Sequence, residues 1–156
     1  MRRSAPLAVA LGLASAAPLA AQGLTATEFG VGALAVFARR DFGGGALGIA
    51  RRVGNQTRLG LTAGAGARDG RQAMRLEATV QFLVTPAARS GAGLYGGAGL
   101  AWAGSEDAPG AGFLVALLGL ESVPGRRSGW FVEVGVAGGV RAAAGWRWRR
   151  FPGWWR

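Results

Sequence analysis

The chain has 156 residues, enough for one domain, and a formal net charge of +10 in which every basic residue is an arginine. It has no cysteine and no histidine. That excludes a disulfide framework and a lipoprotein anchor, and it removes the usual ligand of metal sites and the usual general base. Its 29 glycines, scattered throughout, disfavour long helices.

Residues 1–21 read as a secretory signal peptide. Arg2 and Arg3 give the positive start, Pro6 to Leu13 and an Ala-rich run give the short apolar stretch, and Leu19-Ala20-Ala21 offers a small residue at the cut. The mature chain is then expected to begin at Gln22. Beyond it no run reaches the ~18–20 apolar residues of a spanning helix. The longest candidate, 113–120, is stopped by Gly119 and Glu121. An exported, hydrophobic, Gly-rich chain without helical spans has a closed β-barrel as its membrane solution.

Eight candidate strands follow in order. The first, 27–38, ends at Arg39-Arg40-Asp41, and the second, 46–53, at Gly54-Asn55-Gln56. The third, 58–68, leads into Asp69-Gly70, and the fourth, 72–84, is stopped by Pro86. The fifth, 92–103, is followed by a loop over 105–110. The sixth, 112–121, stops at Pro124-Gly125, and the seventh, 129–137, precedes the eighth, 141–149. Most are near the ~9–11 residues of a tilted transmembrane strand.

The fourth strand carries the clearest pattern. Met74, Leu76, Ala78, Val80, Phe82 and Val84 share one face, and Arg75, Glu77, Thr79 and Gln81 share the other. Arg and Glu facing an ordinary apolar core would be costly. They fit a barrel whose apolar face meets lipid and whose polar face lines the interior. The expected inward set is Glu28, Arg58, Thr62, Arg75, Glu77, Thr79, Gln81, Glu121, Glu133, Arg141 and Arg147, with many glycines between. A soluble sandwich or lipocalin-like barrel would invert every face and leave a solvated exterior rich in Gly.

Paired residues in an antiparallel hairpin share a face. With Asp69-Gly70 as a type I′ turn, Arg68 pairs Arg71, Gly64 pairs Arg75, Thr62 pairs Glu77 and Leu59 pairs Val80. For the last hairpin, a three-residue loop Gly138-Gly139-Val140 aligns the faces. It sets Trp130 against Trp148, Val132 against Trp146, Val134 against Ala144, and Glu133 against Gly145, diagonal to Arg147. Closure then brings Glu28 and Arg147 together, so that Arg147 is shared by Glu28 and Glu133, with Arg149 at the rim. Trp102, Trp130, Trp146 and Trp148 fall on the outer face at strand ends, where interfacial aromatics belong.

Other motifs carry less. Gly91-Ala92-Gly93-Leu94-Tyr95-Gly96 spells the dinucleotide fingerprint but sits in a strand pattern with no helix to follow. Asn55-Gln56-Thr57 is a glycosylation sequon by letter and a tight turn by position. Residues 147–156 interleave Arg with Trp and Phe, as a nucleic-acid or membrane-surface patch would, and suit a last strand with an interfacial tail. The scattered serines make no nucleophile–base pair. No catalytic residue, cofactor, metal or nucleic-acid partner is expected.

The signal segment, the alternating segments such as 74–84 and 130–137, and the aromatic last strand Trp146-Arg147-Trp148-Arg149-Arg150-Phe151 resemble the small outer-membrane barrels of the OmpA/OmpX type over residues 25–151. The resemblance implies an all-β, eight-stranded antiparallel up-and-down transmembrane β-barrel over 22–151, here with short loops and a basic, aromatic tail at 152–156. It implies outer-membrane lipid as surroundings and the barrel-assembly machinery as a partner, reached through a final strand ending at Phe151. The expected role is structural or envelope-stabilising, non-enzymatic and monomeric. Inward glycines leave a narrow, porin-like pore as one alternative. A secreted lipocalin-like barrel holding an apolar ligand is another.

Overall fold

The computed structural model describes residues 23–155. The expected signal segment, its cut after Ala21, and Arg156 lie outside them. The described residues form eight strands: β1 (Ala26–Phe37), β2 (Phe42–Val53), β3 (Thr57–Arg68), β4 (Arg71–Leu83), β5 (Ala92–Ser105), β6 (Ala108–Ser122), β7 (Ser128–Val136) and β8 (Val140–Arg150). Each pairs antiparallel with its neighbours in sequence, and β8 pairs with β1, which closes the barrel. Among the described residues there is no helix.

Alternation decides which side chains face in. Along β4, Arg75, Glu77 and Gln81 are buried, while Leu76, Val80 and Phe82 are about half exposed. Phe29, Leu47, Leu61, Leu100, Leu114 and Val134 continue the apolar exterior around the wall, Leu114 at 78 % exposure. So large an apolar surface is the reverse of what water favours.

The β3–β4 hairpin has the expected register, including Arg68↔Arg71, Thr62↔Glu77 and Leu59↔Val80. Asp69 and Gly70 both take positive φ, 50° and 79°, as a type I′ turn demands. The β7–β8 hairpin differs. Its loop is Ala137-Gly138-Gly139, with Val136 opposite Val140, so Trp130 pairs Trp146, Val132 pairs Ala144, and Glu133 pairs Ala143. Strand parity cannot separate two registers that differ by two residues, because both leave every side chain on its own face. Gly138, at φ 77°, takes the left-handed position inside the loop, and Ala137 is fully buried beneath it.

Three strands, β2, β5 and β6, run further than their patterns predict. The segment 105–110 is not a loop: Ser105 pairs Ala108 across Glu106-Asp107, with an irregularity between Ala103 and Ser105. β2 starts at Phe42 rather than residue 46, because Gly43-Gly44-Gly45 lies in the sheet. Gly44 and Gly66 face each other there. A Cβ on Gly44 would meet Gly66 Cα at 2.7 Å and the Ala65 carbonyl closer still, so glycine here permits close strand approach.

Candidate functional site

The interior holds one continuous ion network. Six buried arginines (Arg52, Arg58, Arg75, Arg141, Arg147, Arg149) face four buried glutamates (Glu28, Glu77, Glu121, Glu133). Each stands on an inward strand position, and closure sets Gly30 of β1 opposite Arg147 of β8.

Glu121 is the hub. Arg58 Nη2 lies 2.7 Å from it, Arg147 Nη1 2.7 Å, Arg149 Nη2 2.9 Å and Arg52 Nη2 3.5 Å. Glu28 takes Arg52 Nε, Arg58 Nε at 3.0 Å and Arg147 Nε at 3.6 Å. Arg147 Nη2 also reaches Glu133 at 3.5 Å, so it is shared among three carboxylates. Glu133 leads on to Arg141 at 2.9 Å, then to Glu77 at 2.9 Å and to Arg75 at 2.7 Å.

Aromatic groups and carbonyls complete it. The Tyr95 ring crosses Gly119, where any Cβ would strike it, and its hydroxyl donates to Glu133 at 2.6 Å. Arg58 and Arg147 lie 5.1 and 5.6 Å from that ring. Arg52 donates to the carbonyls of Pro86 at 2.8 Å and Pro124 at 3.0 Å, and Arg75 to that of Ala137 at 2.8 Å. These carbonyl dipoles take up the surplus positive charge.

Arg58, Arg75, Glu77, Glu121, Glu133, Arg141, Arg147 and Glu28 are thus all inside and joined. Thr62 and Thr79 line the same interior beside a cavity of about 50 Å³. Arg52, Arg149 and Tyr95 are further members that the pattern did not single out. Arg149, expected at the rim, is 3 % exposed and bonded to Glu121. Parity held the clue: Arg147 faces in, so Arg149 does, and Arg52 pairs the inward Arg58.

The end of the barrel that carries both described termini is capped by three segments, 84–91, 123–127 and 151–155. Gly125 N donates to Ala88 O at 2.7 Å, Arg126 Nε to Arg89 O at 2.8 Å, and Trp155 Nε1 to Gly125 O at 3.0 Å. Phe151 turns inward beneath Arg52, 5.6 Å from ring to guanidinium. Trp130, Trp146 and Trp148 stand outward near this end, and Trp102 near the other, each 42–49 % exposed. The Gly91–Gly96 segment runs from a loop into β5, with no helix after it.

No family model and no curated protein matches the chain. Solved structures do. The N-terminal β-barrel domain of Pseudomonas aeruginosa OprF matches with a TM-score of 0.62 at 20% identity, covering 83% of this chain and 100% of that one. Neisserial surface protein A matches with a TM-score of 0.55 at 12% identity, covering 80% of this chain and 96% of that one. This chain has their fold, the small eight-stranded barrel.

Proposed function

We propose that this chain is an outer-membrane β-barrel whose role is structural: a closed, non-conducting, non-enzymatic scaffold in the cell envelope. The observation that carries the reading is the inversion of faces, with an apolar wall outside and a continuous network of ion pairs inside. Strands of 9–15 residues suit a tilted crossing of the hydrocarbon layer. The outward Trp102, Trp130, Trp146 and Trp148 suit its two interfaces. Export by a cleaved signal peptide and assembly through β8 belong to the same reading.

The filled interior weighs against a pore. Eight strands leave space only for side chains, and the cavity of about 50 Å³ has room for roughly three or four waters. The charged interior weighs equally against a soluble barrel holding an apolar ligand. Catalysis is disfavoured because each interior carboxylate is already occupied by two or more arginines. Fractionation with heat-modifiable gel migration tests the reading: a folded, faster-migrating form in the outer membrane is expected, and a cytosolic protein retaining Met1 would overturn it. Reconstitution should give no discrete conductance.

A further inference from the structure

The charges on the outside of the barrel are unevenly placed. At the end bearing the turns 38–41, 69–70 and 106–107, Arg39, Arg40, Arg68 and Arg71 are matched by Asp41, Asp69, Glu106 and Asp107. Several are paired: Arg40 lies 3.8 Å from Asp69, and Arg71 3.4 Å from Asp107. The Ser105 hydroxyl, bonded to Asp107, together with Arg71 and Arg40 holds that carboxyl below the usual range. At the opposite end, Arg51, Arg89, Arg126, Arg127 and Arg150 are exposed, and no acid is exposed beside them among the described residues.

Two of these differ from the rest. Arg51 and Arg150 stand on strands and point outward, at the edge of the apolar wall. The other strand arginines take inward positions: six are buried in the interior network, and Arg68 and Arg71 stand at the open rim of the opposite end. Thr27, also outward, pairs with Arg51 on one side and with Arg150 on the other. The two arginines are therefore two strand spacings apart, about 10 Å between backbones, with a threonine hydroxyl between them. Neither makes a side-chain hydrogen bond or ion pair among the described residues. One step further along the wall, the row is wholly apolar: Trp148, Phe29 and Ile49.

A groove begins at the same place. It is a shallow, open hollow of about 630 Å³, lined by Thr27 and Arg51 together with Ile49, Leu59, Val80 and Leu100. A second hollow of about 690 Å³ shares Ile49 and Leu100 and continues it to Trp102. Small residues such as Ala63 and Ala78 make the wall concave there. A cationic clamp at the mouth of a long apolar track is complementary to one kind of molecule, an anionic diacyl lipid.

We infer that Arg51, Thr27 and Arg150 bind the phosphodiester head group of an anionic phospholipid whose acyl chain lies in the groove past Ile49 and Leu100. The inference rests on the membrane reading above. The planar guanidinium matches phosphate oxygens better than an ammonium would, and Thr27 supplies a neutral donor. Trp148 and Phe29 cover the glycerol region. The site fixes one lipid at the end of the barrel that holds both described termini, where the capping segments add a wider positive field.

The protein purified from membranes is reconstituted with phosphatidylcholine alone or in equal mixture with phosphatidylglycerol, and retained lipid is read by native mass spectrometry. Heat-modifiable migration is scored on each sample. Preferential retention of one phosphatidylglycerol is expected. Each surface arginine contributes roughly fivefold to anionic-lipid attraction, so R51Q/R150Q should lower the preference by about 10- to 30-fold. R39Q/R40Q at the opposite end should leave it unchanged. Equal retention by R51Q/R150Q and the unaltered protein would overturn the site. So would a loss produced by R89Q/R126Q/R127Q instead, or full competition by inorganic phosphate. Failure of the unaltered protein to enter either vesicle would sink the membrane reading, and this site with it; a folded barrel without lipid preference sinks the site alone.

Discussion

Glu121 receives Arg147 Nη1 at 2.7 Å, although the two residues lie on β6 and β8 with β7 between them. The contact crosses the interior, and the same carboxylate holds Arg52, Arg58 and Arg149. Glu121→Ala leaves four arginines with fewer partners in a site closed to bulk water. Breaking a buried charge set in this way costs about 3–5 kcal/mol. Arg149→Met removes one of four cations around Glu121 and should cost less, about 1.5–3 kcal/mol. Urea titration of the folded barrel in detergent micelles measures both. A Glu121→Ala protein as stable as the parent would mean that the hub contributes nothing.

Val123 sits at φ 39°, a conformation that β-branched residues rarely adopt. Its position is fixed by the cap: Val123 N donates to Gly91 O at 2.8 Å, and Arg126 N donates to Val123 O at 2.9 Å. Glycine adopts this φ freely, so Val123→Gly removes about 1–2 kcal/mol of strain while adding about 0.5–1 kcal/mol of unfolded-state entropy. The expected outcome is a small rise in the unfolding midpoint. A fall would show that the half-buried Val123 side chain contributes more by packing than its backbone loses.

Much of this architecture is readable from the residues, for a physical reason. A period of two fixes which side of the wall each residue takes, and one strong turn, Asp69-Gly70, fixes a register. Faces and turn together placed Arg75 and Glu77 inside and Leu76 outside. The pairing of Trp130 was not readable, because sliding β8 by two residues conserves every face. Gly43-Gly44-Gly45 resembles a loop by composition, and its place in the sheet depends on Gly66 across the strand gap. The network's members were largely legible, but not its hub. Which carboxylate collects the most arginines depends on how far side chains reach across the interior, and Glu121 stands where four converge.

The glycines of β2 offer a sharp local contrast. Gly43 and Gly44 are adjacent. A Cβ on Gly43 would meet nothing within 4 Å, whereas one on Gly44 would strike the Gly66 backbone. Gly43→Ala should therefore assemble normally and gain slightly from reduced unfolded-state entropy, about 0.4–1 kcal/mol. Gly44→Ala forces β2 and β3 apart and should lower the fraction of heat-modifiable, folded protein recovered from membranes. The two substitutions add the same methyl group, so any difference belongs to its position. Equal recovery of both would mean that β2 and β3 are further apart than this pairing places them.

Depth along the wall separates a lipid-facing exterior from a water-facing one. Leu47 lies at the middle of β2 and is 66 % exposed, while Val53 ends the same strand at 40 % exposure. Both point outward, and each can be replaced without touching the interior network. In water, Leu47→Arg and Val53→Arg would each replace an exposed apolar group with a solvated one, with little or favourable effect on stability. In a bilayer, the mid-strand arginine costs about 2–4 kcal/mol, and the one at the strand end falls to about 0–1 kcal/mol because its guanidinium reaches the head groups. Reversible unfolding from phosphatidylcholine vesicles measures both. The expected result is a steep difference between the two positions, with the penalty at Leu47. Equal, small effects at the two positions would place the wall in water and end the membrane reading of this barrel.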